Sequence, residues 1–241
     1  MERETERTGL AVPGGNEEGP AGARGETGKG RRSGRRGGKL LLGIGASLTL
    51  CGLLILAGVF VYIHYTDRRA AAAQKELFRI WEQRPPAPER EPVAVGDGIA
   101  RLLVSRLGLD AIVVELEGLE DTENLKRGPG HIPGTAYPGQ VGNCVISGHR
   151  TTYGAPFRHI EQLRPGDEIV LETAEARYTY LVYEQRVVLP TDLTVLEQGE
   201  EREVTLTACH PWYSASRRVV VKGRLERTER HGGPDRDADG N

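Results

Sequence analysis

Apolar positions along the chain follow two different rules. From Leu40 to Tyr65 there are 26 residues without a single charge. From residue 99 onward the apolar runs are short, often β-branched, and broken by turn residues such as Pro165-Gly166-Asp167 and Gly139 to Gly142. The first pattern is long enough to cross a ~30 Å hydrocarbon core as a helix. The second predicts strands at Ala100–Leu109, Asp110–Leu119, Asn143–Gly148, Asp167–Thr173, Ala176–Leu189, Glu203–Cys209 and Arg217–Leu225. Tyr178 to Tyr183 is rich in the residue types that strands favour. This spacing predicts a mainly β fold, a barrel or sandwich of seven to eight strands over residues 99–226, with one core of ordinary size. Short helices fit at Asp121–Lys126, Pro156–Leu163 and Asp192–Leu196.

The flanking segments divide the rest. Residues 1–39 hold 11 glycines, nine Lys/Arg and six Glu without apolar period, so they are expected to be a disordered basic tail. Residues 40–65 are read as one transmembrane helix, with Tyr62, His64 and Tyr65 as interfacial anchors at its end. A cleaved signal peptide is the competing reading, since Ala70-Ala71-Ala72 mimics a cleavage site. The apolar run is too long for an h-region, and Asp67-Arg68-Arg69 precedes the alanines. Seven basic residues between Arg24 and Lys39, against Arg68, Arg69 and Lys75, orient the N-terminus to the cytoplasm and the remainder outside. Residues 66–98 are expected to form an extracellular stalk or linker. Ala70–Trp81 is a candidate short helix there, and Arg84-Pro85-Pro86-Ala87-Pro88 a semi-rigid spacer. Residues 227–241 read as a frayed, disordered tail.

Composition narrows the function classes. Lys+Arg is 32 against 34 Asp+Glu, so no global charge argues for nucleic acid. The basic stretch before Leu40 is better explained by membrane topology than by a nucleic-acid arm. Three cysteines make no disulfide framework and no paired zinc motif. No cofactor is expected. The acidic stretch Glu115, Glu117, Glu120, Asp121 and Glu123 reads as a solvated face.

The candidate chemistry lies at strand ends. Cys209 closes the run Val204-Thr205-Leu206-Thr207-Ala208, and Pro211 stops that strand soon after, because proline cannot donate to a central ladder. His149 follows Cys144-Val145-Ile146-Ser147 through Gly148, and Arg218 opens Val219-Val220-Val221. A thiol, an imidazole and a guanidinium are the parts that cysteine acyl transfer needs: nucleophile, proton carrier and oxyanion donor.

Gly148-His149-Arg150, Thr205-Leu206-Thr207-Ala208-Cys209 and Arg218 before a Val-rich strand together resemble a sortase, a membrane-anchored cysteine transpeptidase of Gram-positive bacteria. The separations, 60 residues from His149 to Cys209 and nine from Cys209 to Arg218, look like the family's. Leu125-Lys126-Arg127-Gly128 and the segment Val188 to Leu196 add to the likeness, which covers about residues 97–226. Gly148 to Gly154 and Thr207 to Pro211 look most like class E of high-GC bacteria, with class D next. Two positions depart: Ala208 stands where a Thr usually precedes the cysteine, and Ile132 stands where an aromatic residue is expected.

The resemblance implies a sortase-like closed β-barrel and a reaction. Cys209 would attack the Thr–Gly carbonyl of a C-terminal sorting signal of LPxTG or LAxTG type on a surface protein. An amine of lipid II or peptidoglycan would then resolve the thioester. His149 would move protons and Arg218 would hold the oxyanion. Arg217 is adjacent, but strand neighbours face opposite sides, and the family pattern favours Arg218. Leu193, Val195, Leu196 and Ala208 would line the substrate. Class A sortases use calcium in a loop comparable to the acidic stretch, but no metal is expected here. Cys144 is expected to be core packing and Cys51 inert within the membrane helix. His131, His159 and His210 are expected in surface or loop roles. Two other functions compete: a hydrolytic cysteine peptidase with the same residues, and a non-catalytic surface anchor or scaffold. A pilin polymerase is disfavoured because the chain has no Asp-Pro dipeptide.

Overall fold

The computed structural model describes residues 34–83, 93–231 and 236–237. Most of the expected basic tail, the Pro-rich run and the last residues lie outside these. The chain divides into two compact units between Gly52 and Leu53, inside a single long helix. That helix, α1 (Gly34–Glu82), contains an apolar window of mean hydropathy 2.4 and is long and apolar enough to cross a membrane. Its side chains from Leu40 to Phe60 are largely exposed, among them Leu53, Leu54, Ile55 and Leu56.

The strands are β1 (Gly98–Val104), β2 (Leu109–Glu115), β3 (Gly130–His131), β4 (Gly142–Ser147), β5 (Glu168–Glu172), β6 (Ala176–Val188), β7 (Arg202–His210), β8 (Arg217–Arg230) and β9 (Arg236–Asp237). They pair in the order β6-β5-β1-β2-β3-β4-β7-β8, and β6 pairs β8 to close an eight-stranded barrel, with β9 on the margin of β8. Closure removes the open edges that a flat sheet would leave. Two pairings are parallel, β2–β3 and β4–β7. The second brings the C-terminal ends of β4 and β7 to one end of the barrel.

Alternation explains the core. Leu102, Val104, Val113, Cys144, Ile146, Val204, Leu206, Ala208, Val219 and Val221 point inward with Phe157, Ile160, Leu163 and Tyr180. A second, outer cluster joins Ile112, Val114 and Leu116 to Leu77 of α1, flanked by Phe78, Trp81 and Leu125. β2 is therefore buried on both faces, which is why its sequence reads as a continuous apolar run rather than an alternating one. The short helices fall as expected: α2 (Thr122–Leu125), and single 3-10 turns at Ile160–Gln162 and Leu193–Leu196, with one more at Ser105–Leu107.

Two expectations are corrected. Residues 66–82 are not a spacer that holds the barrel away; they continue α1 and lie against it. Thr66, Ala70, Gln74, Leu77 and Trp81 recur every three or four residues and form one helix stripe, of which Thr66, Ala70 and Leu77 are buried. Gln74 completes the fit, accepting from the Ile112 amide at 2.8 Å and donating to the Ile112 and Arg127 carbonyls. A Cβ at Gly128 would lie 2.1 Å from the Gln74 amide nitrogen, so only glycine admits this approach. Burying Leu77 alone contributes roughly 1.5–3 kcal/mol. Second, residues 227–230 are strand rather than tail, pairing with Ala176–Thr179. β3, only two residues long, carried no sequence signal.

Candidate active site

The three chemical residues meet at one barrel end because of register. β4 and β7 run parallel with Ser147 opposite Thr207, and the Gly148 amide still donates to the Thr207 carbonyl at 3.0 Å. His149 and Cys209 each lie two residues beyond that matched pair. β7 and β8 are antiparallel with Cys209 directly opposite Arg218 and His210 opposite Arg217. Directly opposed residues share a sheet face, so Arg218 shares the face of Cys209 and Arg217 does not. Since Ala208 and Val219 face the core, that shared face is the outer one.

Cys209 is partly exposed and free. His149 is more enclosed. Its ring sits 4.9 Å from the Tyr153 ring, and its Nε2 is buried with no hydrogen-bond partner among the described residues. Burial lowers the His149 pKa from the ordinary imidazole value, and the Lys126 ammonium lowers it further. Both effects favour the neutral imidazole over the imidazolium. Gly148 lets the strand turn over Phe157, whose ring would meet a Cβ there at 2.5 Å. The Arg218 guanidinium donates to the Ala215 and Arg217 carbonyls at 3.0 and 3.1 Å, in the β7–β8 connection.

Arg150 has a function that its position in the motif did not disclose. It is buried, forms an ion pair with Glu161 at 2.6 Å, and donates to the Cys209 carbonyl at 3.3 Å and to His210 Nδ1 at 3.0 Å. Its guanidinium also lies 5.7 Å from the Trp212 ring. One side chain next to His149 therefore ties down the strand end that bears Cys209. Arg150→Ala should lower stability by roughly 1–3 kcal/mol through the unpaired groups left behind. Arg150→Lys should recover only part, because it lacks the planar fork. A thermal melt of the full-length protein with each variant checks this.

Of the expected substrate residues, Leu193 is exposed and Val195 and Leu196 are half-buried, all in the 3-10 turn between β6 and β7. That turn is pinned from below. Asn143, fully buried, donates to the Val195 carbonyl at 2.9 Å and accepts from the Thr205 hydroxyl at 2.7 Å. Gln198 donates to the Leu196 and Asn143 carbonyls and accepts from the Asn143 amide. Thr205, the first threonine of the cysteine motif, thus acts on the loop rather than on the thiol. Ala208 is a correction: its methyl group is in the core, so its side chain cannot line the substrate face.

Other residues also depart from expectation. His131 is not in a surface role; it is fully buried, with Nδ1 2.7 Å from Glu115 and its ring stacked on Tyr137. Glu115 is correspondingly buried, not on a solvated face. Asp121 caps α2 through the Asn124 amide and also accepts from the Glu117 amide; these and other hydrogen bonds outweigh its partial burial and lower its pKa. Cys144, by contrast, is the core thiol expected: burial raises its pKa steeply, and it is not bonded to Cys209.

Comparison with known proteins agrees with this geometry. The Sortase domain family matches residues 102–226, just over half of the chain. Sortase SrtE1 of Streptomyces coelicolor is 34% identical over 217 residues, covering 80% of this chain and 59% of SrtE1. The chain thus spans just over half the length of these relatives: 59% of SrtE1 and 53% of sortase D of Bacillus subtilis. Among solved structures, sortase E of Streptomyces avermitilis is 36% identical with a TM-score of 0.52, covering 58% of this chain and 97% of that one. A sortase D5 transpeptidase of Clostridium perfringens is 29% identical with a TM-score of 0.57, covering 64% of this chain and 98% of that one. With its domain match, its closed eight-stranded barrel and its paired strand ends, the chain belongs to the sortase family.

Proposed function

We propose that this protein is a membrane-anchored cysteine transpeptidase that joins surface proteins to the cell wall. The observation that carries the reading is the register that sets Cys209 opposite Arg218 and His149 at the matching end of the parallel neighbour strand. Neutral His149 takes the thiol proton, and the Cys209 thiolate attacks the carbonyl between Thr and Gly of an LPxTG- or LAxTG-type signal. Arg218 donates to the oxygen as it gains charge. The C–N bond breaks, the His149 imidazolium gives its proton to the departing glycine amine, and a thioester remains. An amine of lipid II or peptidoglycan, losing its proton to His149, attacks the thioester and displaces Cys209. The pinned turn at Leu193–Leu196 would present the side chains that receive the signal. α1 would hold the enzyme in the membrane, with the N-terminus in the cytoplasm and the barrel outside. No cofactor enters this scheme.

Product analysis with a sorting peptide, with and without added glycine-type amine, tests the proposal. The amine should shift the product from free acid to amide. Free acid as the sole product at high amine concentration would make the enzyme a hydrolytic peptidase instead.

A further inference from the structure

The barrel-proximal part of α1 rests on the loop that bears His149. Asp67 Oδ1 accepts the Gly154 amide at 2.8 Å. The Tyr62 and Tyr153 hydroxyls are 3.5 Å apart, and a Cβ at Gly154 would lie 3.7 Å from the Ala70 methyl. In this loop Tyr153, Gly154 and Ala155 have φ of 54°, 76° and 43°. Two consecutive-but-one non-glycine residues in the left-handed region cost free energy and persist only where the surroundings hold them. What they achieve is to set the Tyr153 ring against His149, tilted by 40°.

We propose that Asp67, on the membrane-anchor helix, is a positioning residue for His149: by capping Gly154 it holds the Tyr153–Ala155 turn and, through Tyr153, the imidazole. This rests on the catalytic role assigned to His149 above. The helix itself is fixed independently by Gln74 and Leu77. Removing the Asp67 cap therefore releases the loop without undocking α1. The barrel-side part of α1, from Leu53 onward, then helps to set the proton carrier.

The test uses the full chain in lipid nanodiscs, as wild type, Asp67→Ala and Asp67→Asn. Two readouts are taken: kcat and KM for a sorting peptide, and the pH titration of the His149 ring protons by NMR. The Tyr153 ring and the Lys126 ammonium act on the His149 ring; Tyr62 of α1 and Glu123 of α2 act on Tyr153, Asp67 meets its loop at Gly154, and Cys209 and Arg218 stand at the neighbouring strand ends. In Asp67→Ala, kcat should fall at least about tenfold with KM little changed, since small misplacement of a catalytic group is costly. The His149 titration should also rise toward the ordinary imidazole value as water reaches the ring. Any direct effect of losing the Asp67 carboxylate would move that titration down, so an upward shift is the signature of loop release. Asp67→Asn keeps an oxygen for the Gly154 amide and should restore kcat. Wild-type kcat and titration in Asp67→Ala would overturn the proposal; so would a rise in kcat, which would make the helix a cover over His149. If even the wild type turns over no sorting peptide, the proposed function fails, and the titration alone decides for or against Asp67.

Discussion

Cys209→Ala is expected to abolish acyl-enzyme formation, while Cys144→Ala keeps most of the turnover. Only a thiolate attacks, and it must reach solvent-borne substrate. Cys209 stands at the end of β7, on the outer face and partly exposed. Cys144 faces the barrel core with 1% exposure, and burial drives its pKa far up. Loss of an enzyme's nucleophile costs on the order of 10⁶ in kcat where it has been measured in a hydrolase triad. Steady-state rates on a sorting peptide, at matched folded-protein concentration, check the pair. Turnover retained by Cys209→Ala would remove the nucleophile from the account.

Arg218→Ala should lower kcat/KM by about 10²–10³, the usual cost of one oxyanion donor, with the fold intact. Arg217→Ala should cost far less. The difference follows from pairing: Arg218 lies directly across from Cys209, whereas Arg217 lies across from His210 and is exposed. The Arg218 guanidinium donates to the Ala215 and Arg217 carbonyls near the turn; the proposed oxyanion role requires it to exchange those acceptors for the substrate oxygen. Arg218→Lys keeps the charge without the fork and should recover only part. The same peptide assay decides it. A crippled Arg217→Ala beside a near-normal Arg218→Ala would assign the oxyanion to the wrong arginine.

The barrel was legible because its strands are short apolar runs with turn residues between them, and the strand-end positions of His149, Cys209 and Arg218 could be placed from those runs. What escaped was tertiary in origin. β3 is two residues long and owes its existence to its neighbours. The docking stripe on α1 contains Thr66, Ala70 and Gln74, which look like linker residues until a partner surface is known. His131 and Glu115 were misplaced because each alone suggests solvent, and only their pairing across β2 and β3 permits burial. Ala208 was assigned to the substrate from its place in the motif. Strand alternation next to Cys209 sends its side chain inward. The roles of Arg150, Asn143 and Gln198 gave no signal, since most of their partners lie far away in sequence, up to 62 residues for Gln198 and Ala136.

Intact-mass analysis of the full-length protein mixed with a sorting peptide, without amine acceptor, measures the central step directly. The account predicts one adduct equal to the peptide up to its threonine acyl group, mapped by proteolysis to Cys209 and discharged as an amide when amine is added. An adduct on Cys144 or on a non-cysteine residue, or peptide cleaved with no covalent adduct under single-turnover quench, would contradict it.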